Sequence, residues 1–197
     1  MNIVDRYLAG LRQALPQECI DELALASGAS AQQLEQLRQA YPLCPDSLLQ
    51  LLSRYNGTYH QQYPDGMVSV YMLGSDVEEY PYYLSSVEQI LDDHQSNQRS
   101  IADIYGHYLQ DDPGIVDARI DAALKQGQRL CFSHCMNNGG SSMLYVDFSP
   151  APGGKPGQIV RFLHDPDNYQ VIADSFDDYL QMLIDEDYGF LSEENFE

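Results

Sequence analysis

The C-terminal third of the chain has the clearest alternation of apolar and polar positions. At residues 143–148 the apolar side chains of Leu144 and Val146 fall on every second position. Residues 158–163 and 169–173 repeat this period of two, which is typical of β-strands. The connections between them are rich in Pro, Gly and Asp, which favour turns. The pattern therefore predicts three consecutive strands.

A predicted helix follows the third strand. Asp174 or Ser175 can cap its N-terminus, and apolar residues then recur with helical spacing. These residues are Phe176, Tyr179, Leu180 and Leu183. We expect the helix to pack, through Phe176 and Leu180, on the strands that carry Val146 and Ile159, and to form the centre of the core.

Helical spacing dominates the first third of the chain. Three helices are predicted at about residues 3–15, 17–27 and 30–41, and each run ends at a proline or a glycine. Ser30 and Gln33 form a capping-box pattern at the start of the third helix. The N-terminal region is therefore predicted to be helical.

The middle of the chain alternates between short regular patterns and irregular stretches. Asp46 can cap a fourth helix, which ends at about residue 57, and alternation at residues 68–73 predicts a strand. In residues 74–84 acidic residues and tyrosines surround Pro81, and no regular structure is expected there.

The stretch before the C-terminal strands is predicted to be mainly helical. Ser86 and Gln89 form a second capping-box pattern. Between about residues 96 and 127, helical spacing on both sides of an Asp-Asp-Pro-Gly turn predicts two further helices, and residues 129–136 predict a strand. Because 197 residues suffice for one ordinary core, we expect a single domain.

Two blocks of residues, taken in order, carry a family resemblance. The first block is Pro45, Asp46, Leu48, Leu51, Leu52, Tyr55, Asn56 and Gly57. The second is Gly139, Gly140, Asp147, Pro150, Gly157, Gln158, Ala173, Ser175, Phe176 and Leu180. In this order they resemble the SUKH superfamily, which contains SMI/KNR-type cell-wall-assembly regulators and many bacterial toxin-immunity proteins.

The resemblance implies an α+β fold with a central, mainly antiparallel twisted sheet flanked by helices. Residues 1–197 would form one SUKH-like domain, with a helical N-terminal region at about 1–42 and a helical insertion at about 96–127. It also implies a non-catalytic protein-interaction module, in bacteria often an immunity protein that neutralises a cognate toxin. A regulatory scaffold is the alternative in the same class, and an enzyme or small-ligand binder with an unrecognised cleft is the alternative outside it.

The charge of the chain narrows the class of partner. Thirty acidic and ten basic residues give a net charge of −20, which argues against nucleic acid or an anionic membrane as the ligand. Seven acidic residues and no basic one lie between Arg54 and Arg99, and eleven acidic residues and no basic one follow Arg161. Solubility is one explanation; a basic protein partner, such as a basic toxin domain, is the other.

These two base-free stretches supply the predicted partner-binding surface. Acidic residues would speed association with a basic protein, while tyrosines would supply contact area. The predicted residues are Asp76, Glu78, Glu79, Tyr80, Tyr82, Tyr83, Asp185, Glu186 and Asp187.

The sequence lacks complete motifs for catalysis, cofactor binding or metal binding. The four cysteines lack the spacing of a disulfide scaffold or zinc site, and no local signature makes one of them a nucleophile. The Gly-Gly-Lys at 153–155 lacks the other positions of a phosphate loop, and the turn at 165–168 lacks the ligands of a calcium loop. No catalytic, cofactor or metal site is therefore predicted. No apolar run can span a bilayer or act as a signal segment, and a cytoplasmic location is expected.

Overall fold

The computed structural model describes residues 2–137 and 139–192. Met1, Asn138 and residues 193–197 of the predicted 1–197 domain thus lie outside the described residues. The α-helices are α1 (Ile3–Ala14), α2 (Gln17–Leu23), α3 (Ala31–Ala40), α4 (Asp46–Leu52), α5 (Val87–Ser96), α6 (Ile101–Tyr105), α7 (Tyr108–Asp111) and α8 (Phe176–Asp185). The strands are β1 (Gln61–Tyr63), β2 (Gly66–Val68), β3 (Tyr71–Leu73), β4 (Tyr82–Leu84), β5 (Leu130–Asn137), β6 (Gly140–Asp147), β7 (Gln158–Leu163) and β8 (Asn168–Ala173).

One antiparallel sheet organises the fold. Its six strands lie in the order β3-β4-β5-β6-β7-β8, and β1 and β2 form a separate hairpin. Each strand is hydrogen-bonded to the next in sequence, so short connections suffice throughout the C-terminal half. The predicted α+β class, with a mainly antiparallel sheet flanked by helices, is confirmed.

The first face of the sheet is covered by apolar helix surfaces. Val146 and Ile159 share one core cluster with Phe176 and Leu180 of α8, as predicted. The ring of Phe132 meets that of Phe176 edge-on, with centroids 5.3 Å apart. Helices α1 and α4 contribute further leucines to this cluster. Full burial of such a side chain contributes about 1.5–3 kcal/mol, so this face supplies most of the apolar stabilisation.

The second face is covered over only part of its width. The 96–127 segment packs against strands β5 to β8 and forms a smaller apolar cluster there. The cluster comprises Cys131, Tyr145, Val160, Phe162 and Tyr169 from the sheet with Ile101 and Ile120 from the segment. A parallel bridge between Val116 and Tyr169 also ties the segment to the edge strand β8.

A buried ion pair attaches the 96–127 segment to the sheet. The side chains of Arg129 and Asp147 are 1% and 0% exposed, and Arg129 Nε lies 3.6 Å from Asp147 Oδ1. The Arg129 guanidinium donates to the carbonyls of Asp121 (2.6 Å) and Leu124 (3.4 Å) and to the Gln126 side chain (3.0 Å). Asp147 in turn accepts from Gln158 Nε2 at 3.1 Å. Both terminal nitrogens of Arg129 are satisfied in this way, whereas Arg129 Nε is buried without a hydrogen bond and meets Asp147 only as an ion pair.

The 96–127 segment differs from its prediction after Pro113. Two short helices, α6 and α7, occupy its first half, but residues 116–125 form turns instead of the predicted helix. Asp117 Oδ1 accepts from the amide of Arg119, and Asp121 Oδ1 accepts from that of Ala123, both at 2.9 Å. These Asx-type turns satisfy backbone groups locally and compete with the helical ladder.

Other element boundaries also depart from the sequence prediction. The strand predicted at 68–73 divides between β2 and β3, and residues 74–84, predicted to be irregular, end in the strand β4. Asp46 does not cap α4; it is the first helical residue and forms an exposed ion pair with Arg38 at 2.7 Å. The capping boxes at Ser30 and Ser86 are confirmed.

Candidate protein-interaction surface

The two base-free stretches meet in space. Residues 75–79 and Glu186, just after α8, line an open cleft of about 440 Å³. A β-carbon built on Gly189 would lie 2.7 Å from Glu78 Oε1, so the two stretches are in close contact. Asp76, Glu78 and Glu79 are exposed, as are residues 185–187. We call this surface the acidic cleft.

The 74–79 loop of the acidic cleft is held by buried anchors. Tyr179 of α8 donates a hydrogen bond of 2.7 Å to the carbonyl of Gly74. Arg161 of β7, whose side chain is 6% exposed, binds Asp76 through two hydrogen bonds of 2.5 and 3.0 Å. Such a bidentate pair fixes direction as well as distance. Asp76 is therefore an anchor of the loop, whereas Glu78 and Glu79 project from it.

The electrostatics of the acidic cleft are unfavourable in the isolated protein. Burial and the neighbouring carboxylates of Glu78, Asp76 and Asp185 raise the pKa of Glu186. Asp185 and Glu186 also stand at the C-terminal end of α8, where the helix dipole favours cations, and no basic residue occupies its last turn. A cation brought to this surface would relieve these repulsions.

The three predicted tyrosines do not share this surface. Tyr82 is fully buried among the helices of the first face, which corrects its prediction as a surface residue. The physical reason is the alternation of β4, which turns Tyr82 and Leu84 inward and Tyr83 to the second face. Tyr80 is partly buried against the main core.

A row of mostly aromatic side chains crosses the second face of the sheet. Successive pairing places one residue of each strand in register, which sends their side chains to the same side. The row is Tyr71, Tyr83, His134, Met143, Phe162 and Tyr169. The 96–127 segment buries its Phe162 and Tyr169 end, while Tyr71, Tyr83 and His134 stay partly exposed.

The exposed end of this row is the core of an aromatic patch, which we define as Tyr59, His60, Tyr71, Tyr83 and His134. Tyr71 and Tyr83 have ring centroids 4.4 Å apart, and Tyr59 stacks on His134 at 5.2 Å. His60 lies 5.5 Å from Tyr83 and 5.3 Å from Tyr59. The patch has no signature in the sequence, because the pairing of β3, β4 and β5 brings Tyr71, Tyr83 and His134 together from distant positions.

The backbone at His60 has an unusual conformation. His60 has a φ of 49°, in the left-handed region that L-residues other than glycine rarely adopt. Such a conformation costs on the order of 1 kcal/mol, and Asp165, Asp187 and Tyr188 also have it. A hydrogen-bonding contact of 2.7 Å between His60 Nδ1 and Ser69 Oγ holds the ring in place.

Comparison with protein families identifies the relationship of the chain. The model of the SMI1 / KNR4 family (SUKH-1) matches residues 28–182, well over half of the sequence. The chain belongs to this family. The match supports a family-level role in toxin immunity or cell-wall regulation. No curated protein matches the chain in sequence.

The family match covers only part of the candidate surfaces in this SUKH protein. All five residues of the aromatic patch and the 74–79 loop lie inside residues 28–182. The match ends before Asp185, so one wall of the acidic cleft lies beyond it. Helices α1 and α2 also precede the match.

One Cys–His contact in this SUKH protein resembles a thiol catalytic pair. The predicted alternation sends His134 and Cys135 to opposite faces, and a bulge in β5 brings His134 Nε2 within 3.9 Å of Cys131 Sγ instead. Burial raises the pKa of Cys131 well above its usual range and lowers the pKa of His134. Both shifts favour the neutral forms, whereas an activated pair requires a thiolate beside an imidazolium.

A further cleft lies among the described N-terminal helices. The N-terminal helices enclose a cleft of about 390 Å³ with mainly apolar walls and two arginines, Arg12 and Arg54. Within residues 2–137 and 139–192, no three His, Cys, Asp or Glu side chains are grouped so that they could hold a metal ion. Each helix of this described part is also too short or too polar to cross a membrane.

Proposed function

We propose that this SUKH protein is a non-catalytic cytoplasmic module that binds a basic partner protein through the acidic cleft. The most specific form of the proposal is a bacterial immunity protein that neutralises a cognate toxin domain. The observation that carries it is the convergence of two distant base-free stretches on one anchored surface. Its binding residues are Glu78, Glu79, Asp185, Glu186 and Asp187, with Asp76 holding the loop.

Electrostatics favour a basic partner for the acidic cleft. A partner cation near Glu186 would offset the repulsion that raises the pKa of this carboxyl, and would interact favourably with the C-terminal end of α8. The net charge of −20 extends the attraction beyond contact and speeds encounter. Toxins that act on nucleic acid are usually basic, so neutralisation by an acidic protein is physically well matched.

The absence of catalysis in this proposal rests on the state of the buried groups. Cys131 is held as a thiol and His134 as a neutral imidazole, so neither is prepared for nucleophilic attack. The four cysteines are all unpaired, in keeping with a reducing compartment. A regulatory scaffold of the cell-wall type would use the same binding chemistry. A neighbouring gene encoding a secreted toxin with a basic terminal domain would favour immunity over that role.

The test is the association rate of a partner recovered by co-purification from native cells. Glu78→Gln, Glu79→Gln and Glu186→Gln combined should slow association several-fold at physiological ionic strength. The difference should shrink at about 1 M salt, where the Debye length falls from about 8 Å to about 3 Å.

The matched control removes the same number of charges elsewhere. Glu18→Gln, Glu35→Gln and Asp111→Asn are exposed substitutions outside the acidic cleft. Equal association rates for the two triple variants would assign the effect to net charge alone and contradict a binding site at the cleft.

A further inference from the structure

We propose that the aromatic patch binds the guanidinium group of an arginine side chain presented by a protein partner. This deepens the proposed function, and rests on it only in taking the partner to be a basic protein. The patch lies at the β3–β5 end of the second sheet face, away from residues 185–187. The patch would supply contact area and selectivity for arginine. The acidic cleft, in contrast, would act mainly through long-range attraction.

The geometry of the rings suits a planar cation. Tyr83 is the hub, with Tyr71, Tyr59 and His60 at centroid distances of 4.4, 5.4 and 5.5 Å. Their interplanar angles of 34°, 41° and 43° leave the rings tilted toward one another instead of sandwiched. Aromatic faces carry negative partial charge and attract a cation within about 6 Å of the centroid. A guanidinium group can stack on one ring while a neighbouring ring borders it.

The part of the sequence that supplies four of the five patch residues contains no lysine or arginine. Tyr59, His60, Tyr71 and Tyr83 all come from the stretch between Arg54 and Arg99, which holds seven acidic residues and no lysine or arginine. His134 is kept neutral by burial, which lowers its pKa. The net charge of −20 attracts a cation toward the protein as a whole, the patch included.

The rim of the patch fits the rest of an arginine side chain. Met136 lies two residues beyond His134 on β5, on the same face, and is 60% exposed. It can contact the methylene stem while the guanidinium reaches the rings. Arginine fits better than lysine, because its planar head is more weakly hydrated and stacks on aromatic faces.

The test uses a capped peptide of four arginines as the probe. Binding is followed by NMR of the methionine methyl groups, with Met136 and Met143 as reporters on the second face. Measurements at about 1 M salt suppress long-range attraction and leave short-range stacking. Tyr83→Leu and Tyr59→Leu should each weaken binding about two- to fivefold, the range expected for one exposed cation–π contact. Tyr83→Phe keeps the ring and should bind nearly as well as the parent protein.

Three controls complete the test. Tyr108→Leu removes a tyrosine that is 61% exposed and outside the patch, and it should leave binding unchanged. A matched citrulline peptide, neutral but similar in shape, should bind much more weakly. Equal binding of the citrulline peptide, or equal effects of Tyr83→Leu and Tyr108→Leu, would overturn the proposal. Self-association that Tyr83→Leu abolishes would also overturn it, because the patch would then serve a second copy of the chain.

The same titration separates this inference from the proposed function. The Glu78, Glu79 and Glu186 triple variant is measured with the peptide at physiological salt. If it weakens binding while the tyrosine variants do not, the inference fails and the acidic cleft stands. If only the tyrosine variants matter, the aromatic patch stands and the acidic cleft fails as the binding site.

Discussion

The two faces of the sheet are covered in different ways. The first face packs apolar side chains of α1, α4 and α8 on a continuous apolar surface. The second face is covered at one end by the 96–127 segment, through a small apolar cluster and a buried ion pair, and is partly open at the other. The first face therefore supplies most of the buried core, whereas part of the second face keeps its side chains exposed.

The comparison is sharpened most by a substitution in the first face. Phe176→Ala should lower the free energy of unfolding by roughly 3–5 kcal/mol, because it removes a ring that is 1% exposed and packed on Phe132. Urea unfolding followed by circular dichroism measures it. Tyr108→Ala, at an exposed position, should change stability by less than about 0.5 kcal/mol. A loss below about 0.5 kcal/mol for Phe176→Ala would mean that α8 does not contribute its apolar face.

The next largest effect is expected at the ion pair of the second face. Arg129→Met should cost roughly 3 kcal/mol, because it leaves the Asp147 carboxylate buried without its partner. Amide hydrogen exchange should also speed up in the 96–127 segment, which the guanidinium holds. The matched control is Arg38→Met, since its pair with Asp46 is exposed and worth about 0–1 kcal/mol. Equal losses for the two variants would show that the buried pair has no special role.

A smaller effect is expected at the anchor of the acidic cleft. Asp76→Asn weakens the bidentate pair with the buried Arg161 and should cost roughly 1–2 kcal/mol, less than a fully buried pair because Asp76 is 41% exposed. Glu79→Gln, in the same loop, should change stability by less than about 0.5 kcal/mol. Thermal unfolding of the two variants side by side tests whether Asp76, and not Glu79, anchors the loop. A larger loss of stability for Glu79→Gln than for Asp76→Asn would reverse these roles.

The smallest effect concerns pH and the open end of the second face. Burial lowers the folded pKa of His134, so below the unfolded value of about 6.5 the unfolded chain binds more protons than the folded one. The contribution of neutral His134 to the free energy of unfolding is therefore present above about pH 6.5. It is lost as the pH falls below this value, by at most about 1.4 kcal/mol per pH unit. His134→Gln should reduce the loss in unfolding free energy between pH 7.5 and 5.5. An identical pH dependence in this variant would show that the ring is protonated equally in both states.

The strongest local patterns predicted their structures. The alternation of β6 and β7, the helical spacing of α8 and the capping boxes at Ser30 and Ser86 each depend on neighbours in sequence, and the structure has them all. Apolar period and side-chain capping act over a few residues, which is why sequence alone reveals them.

The features that were missed depend on register or on local competition. The sequence around Tyr82 and Tyr83 does not show which of the two is buried. That depends on which face of the sheet each residue of β4 points to. The turns at Asp117 and Asp121 override helical spacing through side-chain hydrogen bonds. Glu78 and Glu186 were predicted to share one partner-binding surface, and both line the acidic cleft; their distance in space depends on how α8 lies on the sheet.

The 96–127 segment is attached in a way that bears on whether another protein's loop could replace it. Arg129 donates hydrogen bonds to the carbonyls of Asp121 and Leu124, and Gln158 donates one to the carbonyl of Arg119. Many of the contacts that fix the segment are therefore made to main-chain oxygens. Every amino acid has a main-chain carbonyl oxygen, so these contacts do not depend on which side chains the segment carries. We therefore expect that a loop from another protein can replace this segment if it has the same backbone conformation. The side chains that face solvent could then vary, which makes the segment suitable for loop grafting.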